Sequence, residues 1–149
     1  FYGPIGYDTG NFVANMIFAY ANARVTMEDG PEKTAYIDWI LRTIESFTDR
    51  FVSKSLQILR NQSKDFMMQS EEFFALYIRD ILEDTAGYAG TELIRRIVGS
   101  SGVRDIKSIP DESGKARAEM ICLNAGIHFI MHPDRFTTGT AYTEYLRSL

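Results

Sequence analysis

The run from Thr9 to Ala23 carries no charged residue, and its apolar side chains fall into two adjacent helical rows. Phe12, Met16 and Tyr20 share one i, i+4 row, and Val13, Ile17 and Ala21 share the next. Side chains four apart stack on one helix face, so two neighbouring rows make an apolar arc too wide for an ordinary surface helix. Such a helix has to be covered over much of its circumference, which places it at the centre of its domain. The run is too short to span a bilayer and contains Asn11, Asn15 and Asn22, so the prediction is a buried core helix. Asp8 or Thr9 is predicted to cap it, a side-chain oxygen accepting from an otherwise unpaired backbone N–H.

The same period continues along the chain. Glu28-Asp29-Gly30 makes a turn, and Pro31 suits the first position of a second helix extending to about Asn61. Tyr36, Ile37, Ile40, Leu41, Ile44, Phe47 and Phe51 supply its apolar face, and Asp38 and Arg42 face each other at i, i+4 on its wet side. Gln62 to Ser70 is a polar connection interrupted by Phe66-Met67-Met68. Glu71 and Glu72 open a third helix near its positive end, and Gly87 and Gly90 mark a break or a close helix crossing before Leu93, Ile94, Ile97 and Val98 resume the pattern. A short helical turn follows over Val103–Ile106. The next helix sets Ile121, Ala125 and Phe129 on one row and stops at Pro133. A last helix begins after Thr138, with Ala141, Tyr145, Leu146 and Leu149 available for docking. No stretch alternates apolar and polar residues, and no block recurs at a fixed period. The predicted fold class is all-α.

The 149 residues are enough for one domain, or part of one, with a core of its own, and residues 1–149 are read as a single helical unit. The net charge of −4 argues against a nucleic-acid partner, because no excess of Lys and Arg is present to meet phosphate. Cys122 stands alone in an apolar helical stretch and reads as a buried structural thiol. Trp39 and the aromatic set Phe47, Phe51, Phe73, Phe74 and Tyr77 sit at helical spacing and read as core. Phe1 to Phe12 forms an aromatic, Gly/Pro-rich loop leading into the first helix. A loop of that kind is poor material for a solvated terminus, so the chain is read as a piece of a larger protein.

Signatures of catalysis are sparse. The chain has no phosphate-cradling Gly-rich loop with Lys, no pair of cysteines for zinc and no nucleophile-elbow serine motif. His128 and His132 have the i, i+4 spacing of a helical metal pair, but Phe129-Ile130-Met131 between them supplies no catalytic Glu and no third ligand. The alternative is a pair of helix C-terminal histidines, one of them meeting the dipole. Asp8, beside a turn, can bind a cation or act as a base, or it can serve as a cap or an anchor for a neighbouring loop. Arg95 and Arg96 follow Leu93-Ile94 and precede Ile97-Val98, so at least one guanidinium lies beside buried surface. Arginine in such a place grips phosphate or carboxylate with paired donors. The competing reading is intrahelical pairing with Glu92, at i+3 and i+4.

Two of these segments together resemble one family. Phe1-Tyr2-Gly3-Pro4-Ile5-Gly6-Tyr7-Asp8-Thr9-Gly10-Asn11-Phe12 resembles the segment that follows the Asp-Pro-Glu metal-binding motif of 5-methylthioribose kinases. Glu92-Leu93-Ile94-Arg95-Arg96-Ile97-Val98-Gly99 resembles the helix that carries a substrate-site arginine pair in the same family. The resemblance implies a protein-kinase-like fold related to the aminoglycoside and choline kinases, of which this chain is the helical C-terminal portion of the large lobe. The small lobe, the catalytic loop and the metal-binding motif are then expected upstream of Phe1. It further implies a cytoplasmic enzyme that uses ATP and Mg²⁺ to phosphorylate the 1-hydroxyl of methylthioribose in methionine salvage, and it favours a homodimer. Arg95 and Arg96 take the substrate-binding role, and Asp8 braces the active-site loops. No catalytic, cofactor-binding or metal residue is assigned within the chain, which is expected to be inactive alone, and no nucleic-acid or membrane partner is implied. Ile5 and Thr9 stand where members often carry Met and Ile. Two competing readings remain: a non-enzymatic helical interaction module, and a kinase-like enzyme acting on choline, homoserine or an aminoglycoside.

Overall fold

A computed structural model describes residues 3–149, apart from the side chains of Met68 and Gln69. Phe1 and Tyr2, with which the predicted opening loop begins, lie outside the described residues. The uncharged run forms the middle of helix α1 (Ile5–Thr26). Val13, Ala14, Ile17, Phe18 and Ala21 are fully buried there. Each of the larger ones contributes about 1.5–3 kcal/mol by leaving water.

Helix α1 begins earlier than predicted, and this corrects the reading of the opening residues. Pro4 occupies the N-cap position, so neither Asp8 nor Thr9 caps the helix, and Ile5 to Phe12 are helical rather than loop. Gly6 and Gly10 suggested a loop because glycine weakens an isolated helix. Here they are the contact surface for helix α3 (Glu71–Val98). A Cβ on Gly6 would lie 2.5 Å from Asp84 Cβ, and one on Gly10 would lie 2.7 Å from the Thr85 carbonyl oxygen. The hydroxyls of Thr9 and Thr85 share a buried hydrogen bond of 2.6 Å across the same contact. Because Gly6 meets Asp84 and Gly10 meets Ala89, the two helices run in the same direction.

Helix α5 (Glu112–Met131) crosses α3 on another side. A Cβ on Gly90 would sit 2.6 Å from the Gly126 carbonyl oxygen, so the expected break or crossing is a crossing, and α3 runs unbroken. Ala118, Cys122, Ala125 and Phe129 complete this side of the core. Burial first, then the charges of Glu119 and Asp105, push the Cys122 thiol up to about 12, as befits a structural cysteine.

Helix α2 (Pro31–Gln62) starts at the predicted proline and buries Ile40, Leu41, Ile44 and Thr48. Phe47 stacks on Phe12 of α1 at 4.0 Å. Trp39 departs from the core reading: it is 52% exposed and lies against Tyr36. One residue before Ile40, it is turned about 100° off the buried stripe. The predicted Asp38–Arg42 pair is also replaced, Asp38 instead accepting from Arg147 at 2.8 Å. Beyond Thr48 the distal half of α2 and the first turns of α3 form a second, smaller core of Phe74, Ile78, Ile81 and Leu82, flanked by Phe51, Val52, Leu56 and Leu59.

The expected short turn is helix α4 (Arg104–Lys107), and the last helix is α6 (Gly139–Ser148), capped by Thr138. Helix α6 docks through Tyr142 and Leu146, both fully buried; Tyr142 was absent from the predicted set. Among the described residues no strand is present.

Three changes probe this packing through urea denaturation midpoints. Gly87, whose missing Cβ has nothing within 4 Å, and Gly90 lie in the same helix but face opposite conditions. Gly87→Ala is expected to stabilise by about 0.5–1 kcal/mol and Gly90→Ala to destabilise by about 1–3 kcal/mol. Equal effects would show that the crossing is looser than described. The buried Tyr142 hydroxyl has no hydrogen-bond partner among the described residues, so Tyr142→Phe is expected to stabilise by about 1 kcal/mol.

Candidate functional site

The last two turns of α3 carry the charged cluster that the sequence singled out. Glu92 is 7% exposed and precedes the fully buried Leu93, so the packing that fixes α3 also fixes this carboxylate. Arg95 places Nε 2.9 Å from Glu92 Oε2, with its Nη2 on the same oxygen. Arg96 donates from Nε to Glu92 Oε1 at 2.7 Å. Its Nη1 reaches the Ser101 carbonyl oxygen at 3.2 Å and the Ser101 hydroxyl at 3.3 Å. Burial alone would raise the Glu92 pKa, but hydrogen bonds from Arg96 and Arg95, with their charges, hold it below the usual carboxylate range.

Intrahelical pairing with Glu92 is therefore present, without consuming the cations. One carboxylate neutralises one of two guanidiniums, so the cluster keeps a single net positive charge at the helix end. The two arginines are also unequal. Arg95 is half exposed and, among the described residues, bound only to Glu92, whereas Arg96 is 30% exposed and ties the Gly99–Gly102 loop back onto the helix. Their location at the negative end of α3 lowers the cost of crowding two cations. Sequence reasoning missed Ser101; its only signal was a small hydroxyl residue just past the Gly99 cap.

Asp8 lies elsewhere. It is exposed in the first turn of α1, beside a groove of about 520 Å³ lined also by Ile5, Tyr7 and Phe51. The neighbouring Thr9 touches Thr85, and from Thr85 to Arg95 the helix rises by roughly 15 Å. The predicted bracing residue and the predicted ligand-gripping pair thus occupy separate parts of the α1–α3 unit.

His128 and His132 come together at the end of α5, with ring centroids 4.8 Å apart. Both sit at the C-terminal end of the helix, as the alternative reading expected. Burial, then the charges of His132 and Arg135, hold the His128 pKa below its ordinary value. Among the described residues no group of three or more His, Cys, Asp and Glu side chains could hold a metal ion, and no helix is long and apolar enough to cross a membrane.

The Glu92 cluster makes stability depend on pH with a defined sign. Its folded pKa is depressed, so its contribution is complete above the ordinary glutamate value of about 4.3 and is lost as pH falls through the folded value. Glu92→Gln is expected to lower the melting temperature at neutral pH and to flatten its decline between about pH 5 and pH 3. Parallel melting-temperature curves for the two proteins would overturn this assignment.

No protein-family model matches the chain. Among curated proteins it is 36% identical over 136 residues to methylthioribose kinase 2 of Oryza sativa subsp. japonica, across 83% of this chain and 32% of the relative. Methylthioribose kinase 1 of the same plant is also 36% identical over 136 residues, across 83% of this chain and 31% of the relative. The methylthioribose kinase of Pectobacterium carotovorum subsp. carotovorum is 29% identical over 126 residues, across 85% of this chain and 31% of the relative. The chain therefore spans about a third of the length of these curated relatives. Over that third it is a homologue of the methylthioribose kinases of plants and bacteria.

Proposed function

We propose that this chain is the helical C-terminal portion of the large lobe of a methylthioribose kinase. In the whole protein it would help transfer the ATP γ-phosphoryl group to the 1-hydroxyl of methylthioribose, a step of methionine salvage. The observation that carries this reading is the 36% identity to a methylthioribose kinase across 83% of the chain. The Arg95–Arg96 cluster supports it physically. A half-exposed guanidinium, held in place through Glu92, suits a ligand whose oxygens bear or develop negative charge.

Phosphoryl transfer also needs Mg²⁺ bridging the nucleotide phosphates. We assign metal and nucleotide binding to the remainder of the parent protein. Within this chain Arg95 and Arg96 bind the substrate, and Asp8 supports the neighbouring loops from the start of α1. A cytoplasmic homodimer is part of the same proposal.

The test uses the complete parent protein with Mg-ATP and a panel of methylthioribose, choline, homoserine and an aminoglycoside. Methylthioribose is expected to be the preferred acceptor. Arg95→Ala and Arg96→Ala are each expected to lower turnover by about 10²-fold or more, with thermal unfolding still cooperative. Near-normal turnover in both variants would remove the pair from the substrate site. Preference for another alcohol would keep the kinase reading and change the acceptor, whereas no ATP-dependent turnover at all would favour a helical interaction module. The 149-residue chain alone is expected to show no turnover.

A further inference from the structure

The end of α5 carries a feature that the arginine cluster does not use. His128 and His132 line one wall of a groove of about 400 Å³, together with Asn124, Met131 and Tyr145. Their ring centroids are 4.8 Å apart and their planes are tilted by 58°. With metal–nitrogen bonds of about 2.1 Å, two imidazoles on one ion have centroids roughly 5 Å apart. The observed spacing leaves room for both rings to reach one ion. It arises because His132 is the C-cap residue, with φ −140°, where the backbone leaves the helix and its ring is brought beside that of the preceding turn.

The surroundings hold the first ring in place and leave its nitrogens available. His128 lies flat against Tyr145, with centroids 4.3 Å apart and planes within 9°. Its other neighbour, Phe136, meets it edge-on at 5.7 Å. The hydroxyl of the stacked Tyr145 donates to the Asn124 carbonyl oxygen at 3.2 Å. Within the described residues neither imidazole makes a hydrogen bond. An orientation fixed beforehand reduces the ordering cost of binding.

We propose that His128 and His132 together chelate a borderline divalent transition-metal ion, of the class Zn²⁺, Ni²⁺ or Cu²⁺, at the mouth of this groove. The ligand type selects the class: imidazole suits these ions, whereas Mg²⁺ and Ca²⁺ demand oxygen donors. With only two protein ligands the ion keeps open positions for water, so this is an exchangeable surface site and not a closed structural zinc centre. The neighbouring Arg135 charge weakens the site without occupying a ring nitrogen. The proposal is independent of the kinase reading.

The test titrates the full chain with Ni²⁺ by calorimetry and with Cu²⁺ by electron paramagnetic resonance. The expected results are one saturable site, a Cu²⁺ spectrum with hyperfine structure from two nitrogens, and no response to Mg²⁺ at the same concentration. Because the second imidazole binds intramolecularly, His128→Gln and His132→Gln are each expected to weaken affinity by about tenfold or more. His132→Gln leaves the Tyr145 stack untouched, and circular dichroism checks its fold. A one-nitrogen spectrum from the unaltered chain, unchanged affinity in the single variants, or a two-nitrogen signal persisting in the double variant would each overturn the proposal.

Discussion

Gly6 and Gly10 allow α1 to approach α3 to near backbone contact, and the remaining helices depend on that approach. The uncharged middle of α1 carries apolar side chains around much of its circumference, so it needs neighbours on several sides. Glycine spacing brings α3 against one side; α2 and α5 cover others, and Tyr20 reaches α6. The Thr9–Thr85 hydrogen bond shows how closely this contact is specified. Each hydroxyl also reaches a carbonyl of its own helix, Thr9 that of Gly6 at 3.2 Å and Thr85 that of Ile81 at 2.7 Å, so a slide of one residue would forfeit the cross-helix bond without leaving either hydroxyl unpaired.

The same geometry positions the charged cluster. Gly90 locks α3 against Gly126, and two residues later Glu92 emerges at the edge of the core. A carboxylate this well covered is tolerable because two guanidiniums share it. The result is a cation whose place is set by the main core while its tip stays in solvent. Arg96, fastened to Ser101, and Arg95, fastened only to Glu92, differ in how far they could turn towards a ligand.

Helical period was the legible layer. Proline at the start of α2, the acidic opening of α3 and the proline after α5 are local signals, and each element appears where they put it. Most of what failed depended on partners remote in sequence. Glycines beside Pro4 look like loop until α3 is present to fill the space above them. Trp39 looks like core until α2's buried stripe is seen to run through Ile40, Leu41 and Ile44. Asp38 has a cation four residues away, yet chooses Arg147, 109 residues on. At the site, spacing alone announced the Glu92–Arg95–Arg96 contacts, because they lie within one helix. Ser101 and the separation of Asp8 from the arginines required the fold.

The hydroxyl of Tyr20 donates to the Leu146 carbonyl oxygen at 2.7 Å, a contact 126 residues apart, and also accepts from Arg24. During synthesis at about 5–20 residues per second, Tyr20 precedes that carbonyl by roughly 6–25 s. Through that interval the most apolar helix of the chain has been made but cannot be fully enclosed. Its glycine face must wait for α3 and its tyrosine for α6. The enclosure of α1 is thus completed only when α6 has docked.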